Sequence, residues 1–232
     1  MTASLTAILF GLLVGLRHAF EPDHLTAVST LVTEARDGKR GAVLGAIWGI
    51  GHTLSLVVVG IVLLALGARV PAPLAASFEC AVSAMLILLG VRAIARAVRA
   101  GHAGPVAPHR HGPVEHAHTQ GAPHIHIAGR PVAWRPLFVG LVHGLAGSGA
   151  LTALVFAKLP TTALRLAYIT LFGLGSVAGM AIASGIAGAS LHAVARSPGT
   201  RRTLAVVTGA ASIVVGVWWA LPMLGVVLAG SR

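Results

Sequence analysis

The sequence predicts an all-α polytopic membrane protein with about six transmembrane helices. Hydrophobic residues make up 56% of the 232 residues and charged residues only 10%, whereas soluble domains average about 25% charged residues. Mean hydropathy is +0.85. Several apolar runs approach the ~20 residues that cross a bilayer as a helix, and none shows the alternation of a barrel strand. A helical membrane domain is therefore the predicted fold.

Six apolar runs are the candidate membrane helices. The first begins near Ala3, enters a polar stretch at 15–28 and is completed by residues 25–32. The other five cover about residues 42–66, 73–98, 136–157, 162–194 and 203–228. Twelve of the 17 lysines and arginines fall in loops on one side of this arrangement, and four fall on the other side. The positive-inside rule then predicts that both termini lie outside and that the loop between the third and fourth helices is cytoplasmic.

The formal net charge is +11. The basic residues that produce it are expected to set the membrane topology and to contact lipid headgroups. The expected partner is therefore the lipid bilayer, in a bacterial inner (plasma) membrane, and no nucleic-acid partner is expected. The single cysteine, Cys80, excludes an internal disulfide and a thiolate metal site.

A faint internal repeat divides the chain into two halves. The stretch GLRH at 15–18 aligns with GLVH at 140–143, LTAV at 25–28 with LTAL at 151–154, and WGIGH at 48–52 with FGLGS at 172–176. The sequence therefore predicts a first three-helix half at 1–100, a loop at 101–131 and a second half at 132–232. Because three is odd, the second half would lie inverted in the membrane, as in many secondary transporters.

The stretch GLRHAFEPDHLTAV at 15–28 is the most informative part of the chain. Pro22 should interrupt the helix, because its ring clashes with the carbonyl of His18. The break would turn His18, Asp23 and His24 toward one point and free the His18 carbonyl as an additional oxygen. Imidazole and carboxylate ligands suit nickel, cobalt or zinc. The alternative is that the stretch is the cytoplasmic end of the first helix, with its polar groups in water.

Further polar residues lie on the other predicted helices, where ionisable groups are costly and usually functional. His52 lies in GIGHTLSL and is the fourth predicted metal ligand. The alternative is a core histidine that only makes hydrogen bonds. The predicted transport pathway comprises His143, Glu21, Thr53, Ser148 and Glu79. For Glu79 an interfacial role is equally open, and hydroxyls often bond only their own backbone.

Residues 101–131 form a histidine-rich loop that is expected to be mostly disordered, because prolines and glycines interrupt it. Neutral imidazoles bind metal, so the loop is a predicted auxiliary metal-binding segment. Binding should weaken at low pH, because a protonated imidazole cannot coordinate. The alternative is a flexible linker. Its histidines are His102, His109, His111, His116, His118, His124 and His126.

The motif RHAFEPDH resembles the His-x4-Asp-His signature of the nickel/cobalt transporter superfamily, with Glu21 and Pro22 at positions where the family has Asp and Ala. GIGHTLSL is similar to the second motif of that family, and LVHGLAGSGAL looks like its short, urease-accessory-type branch. The resemblance implies transport of divalent nickel or cobalt. It also implies that His18, Asp23 and His24 are essential for ion selection.

The predicted function is therefore a secondary permease for Ni²⁺ or Co²⁺, with uptake preferred and no enzymatic activity. The transported ion is the substrate, no resident cofactor is expected, and cytosolic metallochaperones are candidate partners. No nucleotide-binding motif is present, so the driving force would be an ion gradient, the membrane potential or a partner ATPase.

Three alternatives stay open. One is an efflux permease that uses the same site, with the loop collecting cytosolic ions. Another is a membrane-bound metalloenzyme in which histidines hold a catalytic metal. The last is a metal-storage or insertion subunit that transports nothing.

Overall fold

The computed structural model describes residues 2–32, 37–66, 70–100, 109–111, 114–116, 125–127, 130–132, 134–146, 159–195 and 197–230. Within these ranges the chain forms seven helices. They are α1 (Thr2–His18), α2 (Pro22–Val32), α3 (Gly38–Leu66), α4 (Ala72–Ala100), α5 (Trp134–Gly144), α6 (Thr162–Val194) and α7 (Pro198–Gly230).

Four short strands lie between α4 and α5 and form two antiparallel pairs. Strand β1 (His109–His111) pairs with β2 (Val114–His116), and β3 (Ile125–Ile127) pairs with β4 (Arg130–Val132). These pairs lie in the loop that is predicted to be mostly disordered. The other residues of 101–131 lie outside the described ranges.

The predicted helical membrane class is confirmed. Among the described residues, α3, α4, α6 and α7 are long and apolar enough to cross a bilayer, with mean hydropathies of 1.8 to 2.1. Helix α6 covers the predicted residues 162–194, while α1 carries a shorter apolar stretch at Leu9–His18. Helix α5 ends at Gly144, and the rest of the predicted fourth span, 147–157, lies outside the described residues.

The interruption predicted at Pro22 is observed between α1 and α2. The Phe20 N–H donates to the Arg17 carbonyl at 2.9 Å, and the Glu21 N–H donates to the His18 carbonyl at 3.0 Å. Pro22 then opens α2 at a position where its missing N–H costs nothing. The expectation that the break frees the His18 carbonyl is wrong, because the turn closes with a hydrogen bond to that carbonyl.

The helices that carry polar residues pack against one another through glycines. Helix α6 packs against α1 and α3, α5 packs against α3, and α4 pairs with α7. Gly15 lies against the Phe172 carbonyl, and Gly140 lies against the Trp48 carbonyl, so closely that a Cβ at either glycine would overlap the oxygen. Small residues permit such approaches between membrane helices. These contacts fix α1 on α6 and α5 on α3.

Candidate metal centre

Four helix segments bring together five side chains that could act as metal ligands. His18 ends α1, Asp23 and His24 lie in the first turn of α2, His52 lies in the middle of α3, and His143 lies near the end of α5. The four imidazoles are between 0% and 6% exposed. The break at Pro22 brings Asp23 and His24 beside His18, whereas a continuous helix would point them in different directions.

The five side chains form two groups of three, and His24 belongs to both. The candidate ligand atoms of His18, His24 and His52 all lie within 4.8 Å of one another. The same limit holds for Asp23, His24 and His143. Each group is therefore compact enough to be a candidate site for a metal ion.

Asp23 joins two histidines that lie far apart in the sequence. Its Oδ1 atom lies 3.1 Å from Nδ1 of His24, and its Oδ2 atom lies 2.8 Å from Nε2 of His143. Glu21, whose side chain is 55% exposed, places Oε2 2.9 Å from Nδ1 of the buried His18. Carboxylates that accept a ring N–H fix the orientation and tautomer of a metal-binding histidine. Both carboxylates of the motif thus pair with histidines.

Several buried imidazole nitrogens make no hydrogen bond within the described part of the chain. They are Nε2 of His24, Nδ1 of His52 and Nδ1 of His143. Buried polar atoms nearly always have a partner, and leaving one unpaired costs about 1–3 kcal/mol. Imidazole nitrogens that lack a hydrogen-bond partner are suited to bind divalent transition-metal ions, so the donor set fits such ions.

Aromatic rings enclose the cluster. The ring centroid of Trp48 lies 5.5 Å from that of His24 and 5.7 Å from that of His143, and Phe172 lies 5.5 Å from His18. Trp48 and Phe172 were not among the predicted site residues. Trp48 lies four residues before His52, on the same helix face, and the internal repeat aligns Trp48 with Phe172. These two features of the sequence could have identified both aromatic residues.

Two predicted pathway residues are not brought into this cluster, and a third cannot be placed in or out of it. The Thr53 hydroxyl donates to the Gly173 carbonyl at 3.2 Å, so it joins α3 to α6. The Glu79 carboxylate accepts a hydrogen bond of 2.9 Å from Nε1 of Trp219 on α7. Ser148 lies outside the described residues.

The structure describes four of the seven loop histidines. Strands β1 to β4 include His109, His111, His116 and His126. His102, His118 and His124 lie outside the described residues, so the predicted auxiliary site remains a prediction.

The contact of Glu79 with Trp219 yields a prediction that separates the two roles open to this residue. Glu79→Gln keeps an oxygen that can accept the indole N–H, so the change in stability should be within about 1 kcal/mol. The rate of metal flux into proteoliposomes should stay within about twofold of wild type, since a contact between α4 and α7 does not touch the ion. If Glu79 instead attracts ions at the mouth of the pathway, the substitution removes its charge. Flux would then fall while thermal stability stayed unchanged, and this result would contradict the prediction.

Comparison with known proteins gives one relevant relative. The chain is 32% identical over 213 residues to the urease accessory protein UreH of Bacillus sp. (strain TB-90). The aligned region covers 92% of this chain and 90% of that protein. No family model and no solved structure matches the chain. Identity at this level over nearly the whole of both chains establishes common family membership. The chain therefore belongs to the UreH family of urease accessory proteins, the short branch of the nickel/cobalt transporter superfamily that its motifs resemble.

Proposed function

We propose that this membrane protein is a secondary permease that carries Ni²⁺ or Co²⁺ across the bilayer, in the direction of uptake. The observation that carries the proposal is the buried cluster of four histidines and Asp23, in which three ring nitrogens have no hydrogen-bond partner within the described residues. A relative named as a urease accessory protein supports a nickel-related role. The ion is cargo, and the protein needs no resident cofactor and catalyses no reaction.

The chemistry of the cluster suits selection among divalent ions. Imidazoles bind nickel, cobalt and zinc well, whereas magnesium and calcium prefer a larger set of oxygen ligands. Asp23 contributes the negative charge that partly offsets a dication far from bulk water. The ion would exchange its hydration shell for these ligands, with a gradient, the membrane potential or a partner ATPase supplying the driving force.

Reciprocal helix contacts support the second part of the proposal, which is a pair of inverted repeats. Gly15 meets the Phe172 carbonyl and Gly140 meets the Trp48 carbonyl. The repeat aligns the two glycines with each other and the two aromatic residues with each other, so the two contacts are equivalent. A second pair of contacts is equivalent in the same way. Gly175 meets the Leu12 carbonyl, and Gly51 meets the Leu137 carbonyl. Chance matches in a glycine-rich sequence would not produce matching contacts. The proposed architecture is therefore two three-helix repeats with the site between them.

The proposal also includes the orientation of the protein in the membrane and a role for the histidine-rich loop. Both termini lie outside, and the histidine-rich loop is cytoplasmic, where its imidazoles collect or relay metal and pass it to cytosolic metallochaperones. A second candidate is efflux through the same centre. The observation that favours efflux is this loop, which would concentrate ions on the cytoplasmic side.

The direct test is flux of Ni²⁺ and Co²⁺ into oriented proteoliposomes that contain a metal-sensitive dye. Wild-type protein should move the ion, and the sign of the signal gives the direction. His18→Ala should lower the flux by about tenfold or more, because a ligand of the ion is lost. His192→Ala provides the matched control, since this histidine is exposed near the end of α6.

Deletion of residues 101–131 provides a further arm of the test. A retained flux supports a permease whose site lies in the helices. If no protein carries either ion while the wild type still binds metal, the permease proposal fails, and the metalloenzyme or storage function takes its place.

A further inference from the structure

The donors of the candidate metal centre fall into two groups of three. Within each group the candidate ligand atoms lie within 4.8 Å of one another, and His24 is the residue that the two groups share. The rings of His52 and His143, one from each group, have centroids 6.3 Å apart.

His24 is placed to serve both groups. Its ring centroid lies 4.3 Å from that of His18 on one side and 4.2 Å from that of His143 on the other. Its Nδ1 atom faces Asp23 at 3.1 Å, while its Nε2 atom is buried and has no hydrogen-bond partner among the described residues. The two nitrogens of an imidazole lie on different edges of the ring, so one side chain can offer one nitrogen to each group.

We propose that the centre contains two overlapping ion positions that share His24 and are occupied one after the other during transport. This inference rests on the proposed function. The neutral position consists of His18, His24 and His52. The anionic position consists of Asp23, His24 and His143. In each position the ring proton of His24 resides on the nitrogen that does not bind the ion.

The two positions differ in charge and in the helices that build them. The neutral position offers three imidazoles, which favour late first-row transition metals over Mg²⁺ and Ca²⁺. The anionic position adds the Asp23 carboxylate and takes its third ligand, His143, from α5 in the second half of the chain. An ion that moves from one position to the other exchanges one ring nitrogen of His24 for the other, and the ring proton moves to the nitrogen that the ion has left. Because the two positions adjoin at His24, the path between them is short, which limits the cost of a dication that has left its ligands at membrane depth.

Glu21 is the exposed carboxylate that lies beside the neutral position. Its side chain is 55% exposed and pairs with Nδ1 of His18, which leaves Nε2 of His18 directed at Nε2 of His52, 3.3 Å away. Asp23, by contrast, is 14% exposed. The neutral position thus consists of buried side chains with the exposed Glu21 beside it, whereas the anionic position includes the partly exposed Asp23.

Co²⁺ alone is the probe for the test, because its visible absorption depends on its coordination number and on the type of its ligands. Equilibrium binding to the full chain in detergent and flux into proteoliposomes are measured for each variant. His24→Ala removes a ligand from both positions and should weaken binding by about 100-fold or more. His52→Ala and His143→Ala each leave one position complete, so each should weaken binding by less than about tenfold, with different Co²⁺ spectra. Both should nevertheless lose flux.

The double variant His52→Ala/His143→Ala provides an independent check, since it keeps His24 but leaves both groups incomplete. It should bind as weakly as His24→Ala. His192→Ala is again the matched control, and thermal unfolding in detergent identifies any variant that has lost its fold. Equal losses of affinity in His24→Ala, His52→Ala and His143→Ala, with the fold intact, would indicate one shared centre and overturn the proposal. Wild-type flux in either single variant would overturn it as well.

These outcomes separate the inference from the proposed function. Wild-type flux with equal losses of affinity keeps the permease and removes the second position. Two spectroscopically distinct positions in a protein that carries neither Ni²⁺ nor Co²⁺ remove the permease and keep the two positions.

Discussion

Asp23→Asn should lower Ni²⁺ and Co²⁺ flux by about 100-fold, at the upper end of the effect of altered metal-site carboxylates. The carboxylate accepts hydrogen bonds from His24 and from His143 through its two oxygens. An asparagine has only one oxygen, and its NH₂ group cannot accept the second ring N–H. The substitution also removes the negative charge that offsets the ion. The measurement is the initial rate of flux into proteoliposomes at several ion concentrations.

Asp37→Asn is the matched control for this substitution. Asp37 is exposed and accepts the backbone N–H of Arg40 at 2.7 Å, at the start of α3. Asparagine caps a helix about as well as aspartate, so flux and stability should remain those of the wild type. Normal flux in Asp23→Asn would remove Asp23 from the ion site, and the site would then have to be sought elsewhere.

Gly140→Ala should destabilise the protein by about 1–3 kcal/mol, which is typical of an extra methyl group in a packed interior, and should also abolish most of the flux. A Cβ at this position would overlap the Trp48 carbonyl and would lie 2.9 Å from the backbone nitrogen of His52. Helix α5 would have to move away from α3, and His143 would move with it. The measurements are the midpoint of thermal unfolding in detergent and the flux rate.

Gly225→Ala gives the control, because nothing lies within 4 Å of a Cβ at that position of α7. Alanine is the better helix former, so stability should be unchanged or slightly raised. If the repeats are equivalent, Gly15→Ala should have an effect of similar size to Gly140→Ala, through the Phe172 carbonyl. A Gly140→Ala protein with wild-type unfolding and flux would show that the close contact of α5 with α3 is not required.

Much of this protein can be predicted from local properties of the sequence. Apolar runs with few charges predict membrane helices, because only a helix satisfies its own backbone in lipid. Pro22 predicts the break after α1, because proline cannot continue a helix that needs its N–H. The composition of the polar stretch predicts the kind of ion, because ligand chemistry depends on residue type. None of these inferences requires knowledge of which helices are neighbours.

The tertiary structure alone decided how the polar residues pair. Asp23 contacts His143, which is 120 residues away, and the sequence contains no local signal for that bond. Thr53 and Glu79 are predicted pathway residues, and the rotation of α3 and α4 directs them to a backbone carbonyl and to Trp219. The division of the donors around His24 depends on the same rotations. The physical reason is that glycine contacts between distant segments set the spacing and rotation of the helices, and so determine which side chains meet.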